Sequence, residues 1–410
     1  MLGLGSSTSA LTIYLPPAVY SAGSTVAGEV SINVRQVYDE DIELVEIRLH
    51  GTAYASIQVG ENVVVAKVPL IREDITAWAR GAGPHGPDSD TLAVPFSFTL
   101  PPDLPPSFHH VGVGYSDVGT VRYSIAAVGV RKGRLRTNKR HRVPLAVVPE
   151  DAVGARIKAA PGAHQRKTYR REERIRKGLW GDYSRVEVEL SLPDIPVLPL
   201  SAVIPYTISV TTETPPLTRA KAAGLSSDKG VFPPIPTTPD AVEFKLRRRV
   251  KIMALKINSK SHKDICLFPG EKAAEKERKD GTLRPPTAAK VSPGEFVPER
   301  APGDEKRTAG DKDAGTWVQR ATFDSTLRLD CPPSFALSNI ECSYELVVTV
   351  SFPGIGNNLT LEVPVVVSSG VDTALPREEG ASAGELPSLD LPPAYWDTTD
   401  TRTWGDDEKE

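Results

Sequence analysis

Cysteine is nearly missing from this chain. Cys266, Cys331 and Cys342 are the three present in 410 residues, too few and too scattered for a disulfide framework or a paired-cysteine metal site. The expectation is a reducing, cytoplasmic setting. Long apolar runs are missing too: none approaches the roughly 18 residues of a membrane-spanning helix. The opening Met1-Leu2-Gly3-Leu4-Gly5 lacks the charged and apolar regions of a secretory leader, so any membrane contact is expected to be peripheral. Two methionines beside 37 prolines and 32 glycines speak against helical bundles and for short strands joined by Pro/Gly turns. A net charge of −3 excludes a bulk polycation, and no nucleic-acid partner is expected.

Signatures of catalysis are absent as well. There is no HExxH, no GxSxG and no Walker loop, and Gly112-x-Gly114 with Gly119 has the wrong spacing for a dinucleotide fingerprint. His109 and His110 are adjacent, so on a strand they point to opposite faces. No Cys or acid stands at ligand spacing from them, and both are expected on a loop surface. No enzyme, cofactor or metal site is therefore expected. Paired carboxylates in a sandwich glycosidase are the one catalytic class that the sequence leaves open.

What the chain does contain is alternation. Leu11, Ile13 and Leu15 alternate, then Val26, Gly28, Val30, Ile32 and Val34, then Val45, Ile47 and Leu49, followed by Val63 to Val68. Residues 72–92 are polar and rich in Gly and Pro, predicting a loop with a short helix over 73–80. Val94 to Leu100, Val121 to Ala127 and Val143 to Val148 complete a first set of strands. With no room for crossover helices, this predicts an antiparallel β-sandwich over 8–149. Residues 150–183 change character: nine bases and two acids between Arg156 and Lys177 predict a basic linker. Strand patterning resumes over 184–369 for a second sandwich. It is interrupted at 269–316, where large apolar residues are nearly missing and a disordered insertion is predicted. Pro105-Pro106-Ser107-Phe108 ahead of Tyr123, and Pro332-Pro333-Ser334-Phe335 ahead of Tyr344, form an internal repeat that supports two equivalent lobes. The fold class is thus all-β, two immunoglobulin-like sandwiches in tandem, with an acidic disordered tail over 370–410.

Two kinds of binding residue stand out. In the tail, Leu391-Pro392-Pro393-Ala394-Tyr395 pairs a pre-set polyproline II segment with a tyrosine. Pro392, Pro393 and Tyr395 thereby suit the aromatic groove of a WW domain at low entropic cost. The other is charge. Arg131, Lys132, Arg134, Arg136, Lys139, Arg140 and Arg142 crowd twelve residues with no acid, whereas 371–410 hold eleven acids against three bases. Solvated loop ends would account for the basic run. As a site, together with Arg166 to Lys177 and Lys245 to Lys251, it would take phosphorylated or acidic tails, or anionic lipid headgroups. Lys272, Lys276, Lys279, Lys290, Lys306 and Lys312 keep the insertion soluble and would also be acceptors within reach of a bound ligase.

The order Tyr20-x-x-Gly23-x-x-Val26-x-Gly28-x-Val30, Ile47-x-Leu49-x-Gly51, Phe96-x-Phe98-x-Leu100-Pro101, Leu104-Pro105-Pro106-Ser107-Phe108 and Gly119-x-Val121-x-Tyr123-x-Ile125 resembles the N-terminal lobe of the α-arrestin family. The second lobe is similar in its Leu246-x-Arg248 strand and in Pro332 to Phe335 followed by Tyr344. The resemblance covers 8–369 in outline and is sharpest at 93–128. It implies an adaptor without catalytic residues, cytoplasmic and recruited to plasma membrane and endosomes. Two sandwiches would read the cytoplasmic tails of transporters or receptors. The proline-tyrosine motif would recruit a HECT-type ubiquitin ligase through its WW domains, for ubiquitination and endocytosis of the cargo. A scaffold of the same fold in signalling or retromer-like sorting is the alternative. Ala22-Gly23-Ser24 departs from the family's turn, and the motif occurs once where many relatives carry several, which forgoes the avidity of linked copies.

Overall fold

The computed structural model describes residues 9–16, 19–82, 90–112, 117–133, 137–160, 163–178, 180–224, 231–268, 289–298 and 314–372. The first lobe runs β1 (Leu11–Tyr14), β2 (Val19–Ser21), β3 (Thr25–Asn33), α1 (Val34–Asp39), β4 (Ile42–Val59), β5 (Asn62–Ala79), β6 (Thr91–Thr99), β7 (Phe108–Val111), β8 (Asp117–Arg131) and β9 (Lys139–Val148). After α2 (Ala152–Ala159) come β10 (Arg166–Arg176), β11 (Tyr183–Pro193), β12 (Leu198–Pro199), β13 (Ile204–Glu213), β14 (Leu217–Thr218) and α3 (Arg219–Ala223). The second lobe continues with β15 (Val242–Ala254), β16 (Ile257–Phe268), β17 (Lys290–Val291), β18 (Glu295–Pro298), β19 (Ala314–Leu327), β20 (Phe335–Ala336), β21 (Ile340–Ser351), β22 (Asn358–Val365) and β23 (Val367–Ser368).

Period-two burial builds both sandwiches. Along β13, Ile204, Tyr206, Ile208, Val210 and Thr212 are buried while their neighbours are half-buried. In the first lobe the sheet β1-β3-β6 faces β2-β9-β8-β4-β5, with β7 added on β8. In the second, β10-β11-β13-β19-β14, carrying β17 and β18 on β19, faces β16-β15-β21-β20, carrying β22 on β21. Tyr206 of β13 meets Phe244 of β15 across that core at 4.8 Å between ring centroids. Gly51 of β4 is required by packing: a Cβ there would stand 2.6 Å from the Tyr123 ring.

The proline repeat is one structural device used twice. Tyr123 donates its hydroxyl to the Pro105 carbonyl at 2.7 Å, and Tyr344 donates to Pro332 at 2.7 Å. Val147 N–H donates to Ser107 Oγ at 2.9 Å and Ser107 N–H to the Val147 carbonyl at 2.8 Å. Ser334 and Val367 repeat the exchange at 3.0 and 2.8 Å. The two phenylalanines that end the repeats, Phe108 and Phe335, meet edge to face at 5.0 Å between centroids and join the lobes. Around them, Asn339 Nδ2 donates to the Ala53 carbonyl at 3.0 Å, and Ser261 Oγ hydrogen-bonds His110 Nε2 at 2.7 Å. Ser259 Oγ bonds the Asp117 carboxylate. Buried apolar residues of both sandwiches form one continuous core. Cys342 donates to the Tyr344 hydroxyl at 3.5 Å, and burial pushes its thiol up to about 11, which keeps it protonated.

Several expectations are corrected. β5 runs to Ala79, so 73–80 is strand and not helix; the equally long β4 supplies partners along its whole length. The predicted basic linker contains α2 and all of β10. That strand is charge-dense yet paired to β11 throughout, because opposite charges meet across the pair: Arg170 of β10 reaches Glu187 at 3.2 Å and Glu189 at 2.5 Å, and Arg185 of β11 reaches Glu172 of β10 at 2.6 Å. Charge also protects this sheet edge from stray pairing. Within the predicted disordered insertion, 289–298 supplies β17 and β18 and β19 begins at Ala314, with Lys290 held to Asp324 at 2.8 Å. Residues 269–288 and 299–313, with Lys272, Lys276, Lys279, Lys306 and Lys312, lie outside the described residues. His110 is buried at the lobe seam and not on a loop surface; it stacks on Phe108.

Two outcomes are expected. Ser107→Ala or Ser334→Ala strips a buried backbone N–H of its acceptor and should lower stability by about 1–3 kcal/mol in chemical denaturation. Burial, aided by the nearby cations Arg248, His109 and Lys263 and opposed by Asp117, holds His110 down at about 4 against an ordinary 6.5. The folded seam therefore refuses a proton that the unfolded chain accepts below pH 6.5. The His110 contribution should be full above pH 6.5 and be lost as pH falls towards 4. Denaturation midpoints across that window should decline less steeply in His110→Asn than in the unsubstituted protein.

Candidate anion-binding surface

The three basic stretches fall on separate faces. Arg131 to Arg142 flank the β8–β9 turn of the first lobe. Arg166 to Lys177 lie in and just beyond β10, and Lys245 to Lys251 lie in β15, on opposite sheets of the second lobe. In the first, Arg131 pairs with Glu40, and Lys139 reaches the same carboxylate at 3.3 Å. These two are structural ties to the end of α1, not open anion ligands. Lys132 is exposed, and Arg140 and Arg142 are half-buried on β9, whereas Arg134 and Arg136 lie outside the described residues. Pro392, Pro393 and Tyr395 lie outside them too.

Along β15 the charges divide by position. Lys245 binds Asp264 at 2.8 Å and Glu243 at 3.2 Å, and Arg247 binds Asp264 at 3.1 Å and Glu362 at 2.6 Å. Burial alone would lift the Asp264 carboxyl, but hydrogen bonds from Lys245 and Arg247 outweigh it and hold the group below its ordinary value. That end is neutralised. Arg248 points the other way, inward, as alternation requires.

Two residues further on the balance changes. Arg249, Val250, Lys251, Lys260, Ser261, His262, Glu341 and Ser343 line a groove of about 340 Å³. The β15–β16 register sets Lys251 directly opposite Lys260, and Arg249 directly opposite His262. Like charges directly opposite each other across a ladder are destabilising. On the other side, Lys251 faces Glu341, and Arg249 reaches Glu345 at 2.6 Å. Three permanent cations and a histidine thus share a groove with one lining carboxylate, beside the lobe seam. An anion seated between Lys251 and Lys260 would relieve their repulsion. Lys260 and His262 escaped sequence reasoning because Lys260-Ser261-His262-Lys263 looks like a polar loop until the hairpin register brings it against β15. Among the described residues, no group of three or more His, Cys, Asp and Glu side chains is placed to hold a metal ion.

Comparison with curated proteins found no match. Residues 89–152, which cover β6 to the first residue of α2 and include the first proline-tyrosine corner, match the family described as arrestin (or S-antigen), N-terminal domain. With the all-β, two-sandwich architecture around it, that match supports the arrestin family and an arrestin-fold adaptor or scaffold.

Proposed function

We propose that this chain is an adaptor of the α-arrestin kind. Its body receives acidic or phosphorylated cytoplasmic tails of transporters or receptors at the Arg249/Lys251/Lys260/His262 groove. Pro392, Pro393 and Tyr395 recruit a WW-domain HECT-type ubiquitin ligase, and the cargo is ubiquitinated and taken into endosomes. The observation that carries the cargo half is the like-charge ladder position Lys251–Lys260, an arrangement that costs stability and that a bound anion would offset. Arg and Lys divide the work: Lys251 and Lys260 act as point charges, and the fork of Arg249, held by Glu345 at 2.6 Å, offers a phosphate the donors that carboxylate leaves over. The ligase half rests on the Pro-Pro-x-Tyr sequence, which lies 20 residues past the last described residue, Asp372. A fully extended chain spans at most about 3.6 Å per residue, so the motif can act no more than roughly 70 Å from the end of the second sandwich.

The two halves separate experimentally. Isolated WW domains should capture the full chain, and Tyr395→Ala should abolish capture without changing peptide binding. Undiminished capture would leave the scaffold reading, in which the motif is incidental. Fluorescence anisotropy with a multiply phosphorylated acidic peptide should show affinity falling steeply with salt. Lys251→Glu with Lys260→Glu should weaken binding at least about tenfold, because two charge-assisted contacts are lost and reversed. Equal affinity in that variant would remove the groove from the mechanism.

A further inference from the structure

Most of the long sheet edges in this molecule are closed to a further strand. β5 carries Pro69, β6 carries Pro95 and β22 carries Pro364, each a residue without a backbone N–H to offer. β10 has no proline, but its charges are tied to one another and to β11, as in Arg171 to Glu173 at 3.0 Å and Arg170 to Glu189 at 2.5 Å. β16 is different. It ends its sheet in the order β16-β15-β21-β20, and among the described residues it pairs with β15 alone. From Ile257 to Leu267 it contains neither proline nor glycine, and its register against β15 is unbroken from Ile257 to Cys266.

This edge is open on both faces. Lys260, His262 and Asp264 point outward, on the face that carries the groove, and Ser259, Ser261 and Lys263 point inward. Lys263 is exposed all the same, so the sandwich leaves the inner face of the strand uncovered there. At the seam end Ser259 and Ser261 turn to Asp117 and His110 of the first lobe, which bounds the open stretch and leaves Lys260 to Asp264 clear. Lys263 stands opposite Arg248 on the inner face, just as Lys260 stands opposite Lys251 on the outer one. Neither Lys260 nor Lys263 has an ion-pair partner among the described residues. Asp264, by contrast, is already held by Lys245 at 2.8 Å and Arg247 at 3.1 Å.

Lysines on both faces of an edge repel a stray strand and admit an acidic one. We propose that the acidic or phosphorylated segment received at the groove joins β16 as an added strand, and that the edge reads the spacing of its charges. The inference rests on the groove reading above and states how that ligand is held. Main-chain hydrogen bonds to the free edge give affinity, and side chains at alternate positions give selectivity. Acids at i and i+2 stand opposite Lys260 and His262, with Lys251 and Arg249 in the next strand behind them. The residue opposite Lys263, on the other face, is a third place for an acid. The residue opposite Asp264 is not an acid, because it would meet a carboxylate that Lys245 and Arg247 already hold. A second copy of β16 is a poor occupant, since it brings two lysines to an edge that already has two.

The test is fluorescence anisotropy on the full chain with nine-residue peptides of identical composition. A peptide with phosphoserines at i and i+2 should bind at least about tenfold more tightly than one with them at i and i+3, which fall on opposite faces of a strand. Methylating alternate backbone nitrogens in one register should lower affinity by about tenfold or more, and in the other register by less than about twofold, because only every second N–H of an added strand faces its neighbour. An acid two residues beyond the pair should weaken binding at the end that meets Asp264 and not at the other, and Asp264→Asn should remove that difference. The peptide series leaves the protein unaltered, so its result does not depend on the folding of a variant. Binding that is lost in Lys251→Glu with Lys260→Glu, yet is indifferent to spacing and to methylation, would keep the groove and overturn the added strand. Absence of binding by both peptides at low salt would overturn both. A dimer in sedimentation that the peptide dissociates would assign the edge to a second copy and likewise overturn the proposal.

Discussion

Two phenylalanines, one from each lobe, meet edge to face at 5.0 Å, and the arrangement of the whole molecule follows from what holds them there. Each ends a Pro-Pro-Ser-Phe corner. The corner's first proline, Pro105 or Pro332, presents its carbonyl to a buried tyrosine, and its serine exchanges two hydrogen bonds with the strand that closes the sandwich. Proline fixes the entry of the chain, the tyrosine removes the carbonyl that proline leaves exposed to the core, and the serine fixes the exit. A rigid corner is what allows a ring to be offered across an interface. Because the device is used twice, the two rings arrive as equivalents, and the apolar cores become continuous instead of two cores tethered by a linker.

That corner was legible in the sequence, down to the tyrosine that follows it, because it depends on neighbours a few residues to some tens of residues apart and on side-chain types with one use each. The alternating strands of β4, β13 and β21 were legible for the same reason. β10 was not. Its signal is a run of arginines and glutamates with Ile175 as the one buried apolar residue, and only the register against Glu187 and Glu189 of β11 turns that run into a strand. β17 and β18 were hidden likewise: Phe296 and Val297 are few apolar residues in a polar stretch, and their partner β19 begins sixteen residues later. His110 was misplaced because burial at a seam between lobes leaves no local mark.

Charge shows the same division between composition and register. The densest basic run, Arg131 to Arg142, partly serves the fold, since Arg131 and Lys139 converge on Glu40. Lys245 and Arg247 are spent on Asp264 and Glu362. The less conspicuous pairs Lys251–Lys260 and Arg249–His262 are the ones that the ladder sets against each other. Density along the chain and opposition across a hairpin therefore pick out different residues, because the field at a groove depends on which charges share it and not on which share a decade of sequence.

The same geometry gives the molecule a direction. The seam end carries the groove, and its strap is visible where the chain leaves the second lobe: Ser369 donates to the Pro149 carbonyl at 2.6 Å, Asp151 N–H donates to the Val371 carbonyl at 2.6 Å, and the Asp151 side chain caps α2. The last described residues thus lie at the junction of the lobes. The opposite end of the second lobe carries the β10–β11 and β21–β22 turns, with Gly178, Gly354 and Gly356 at positive φ. One β-sandwich, set by its corner at one end and ending in two glycine-flanked turns at the other, fixes the distance between those two ends.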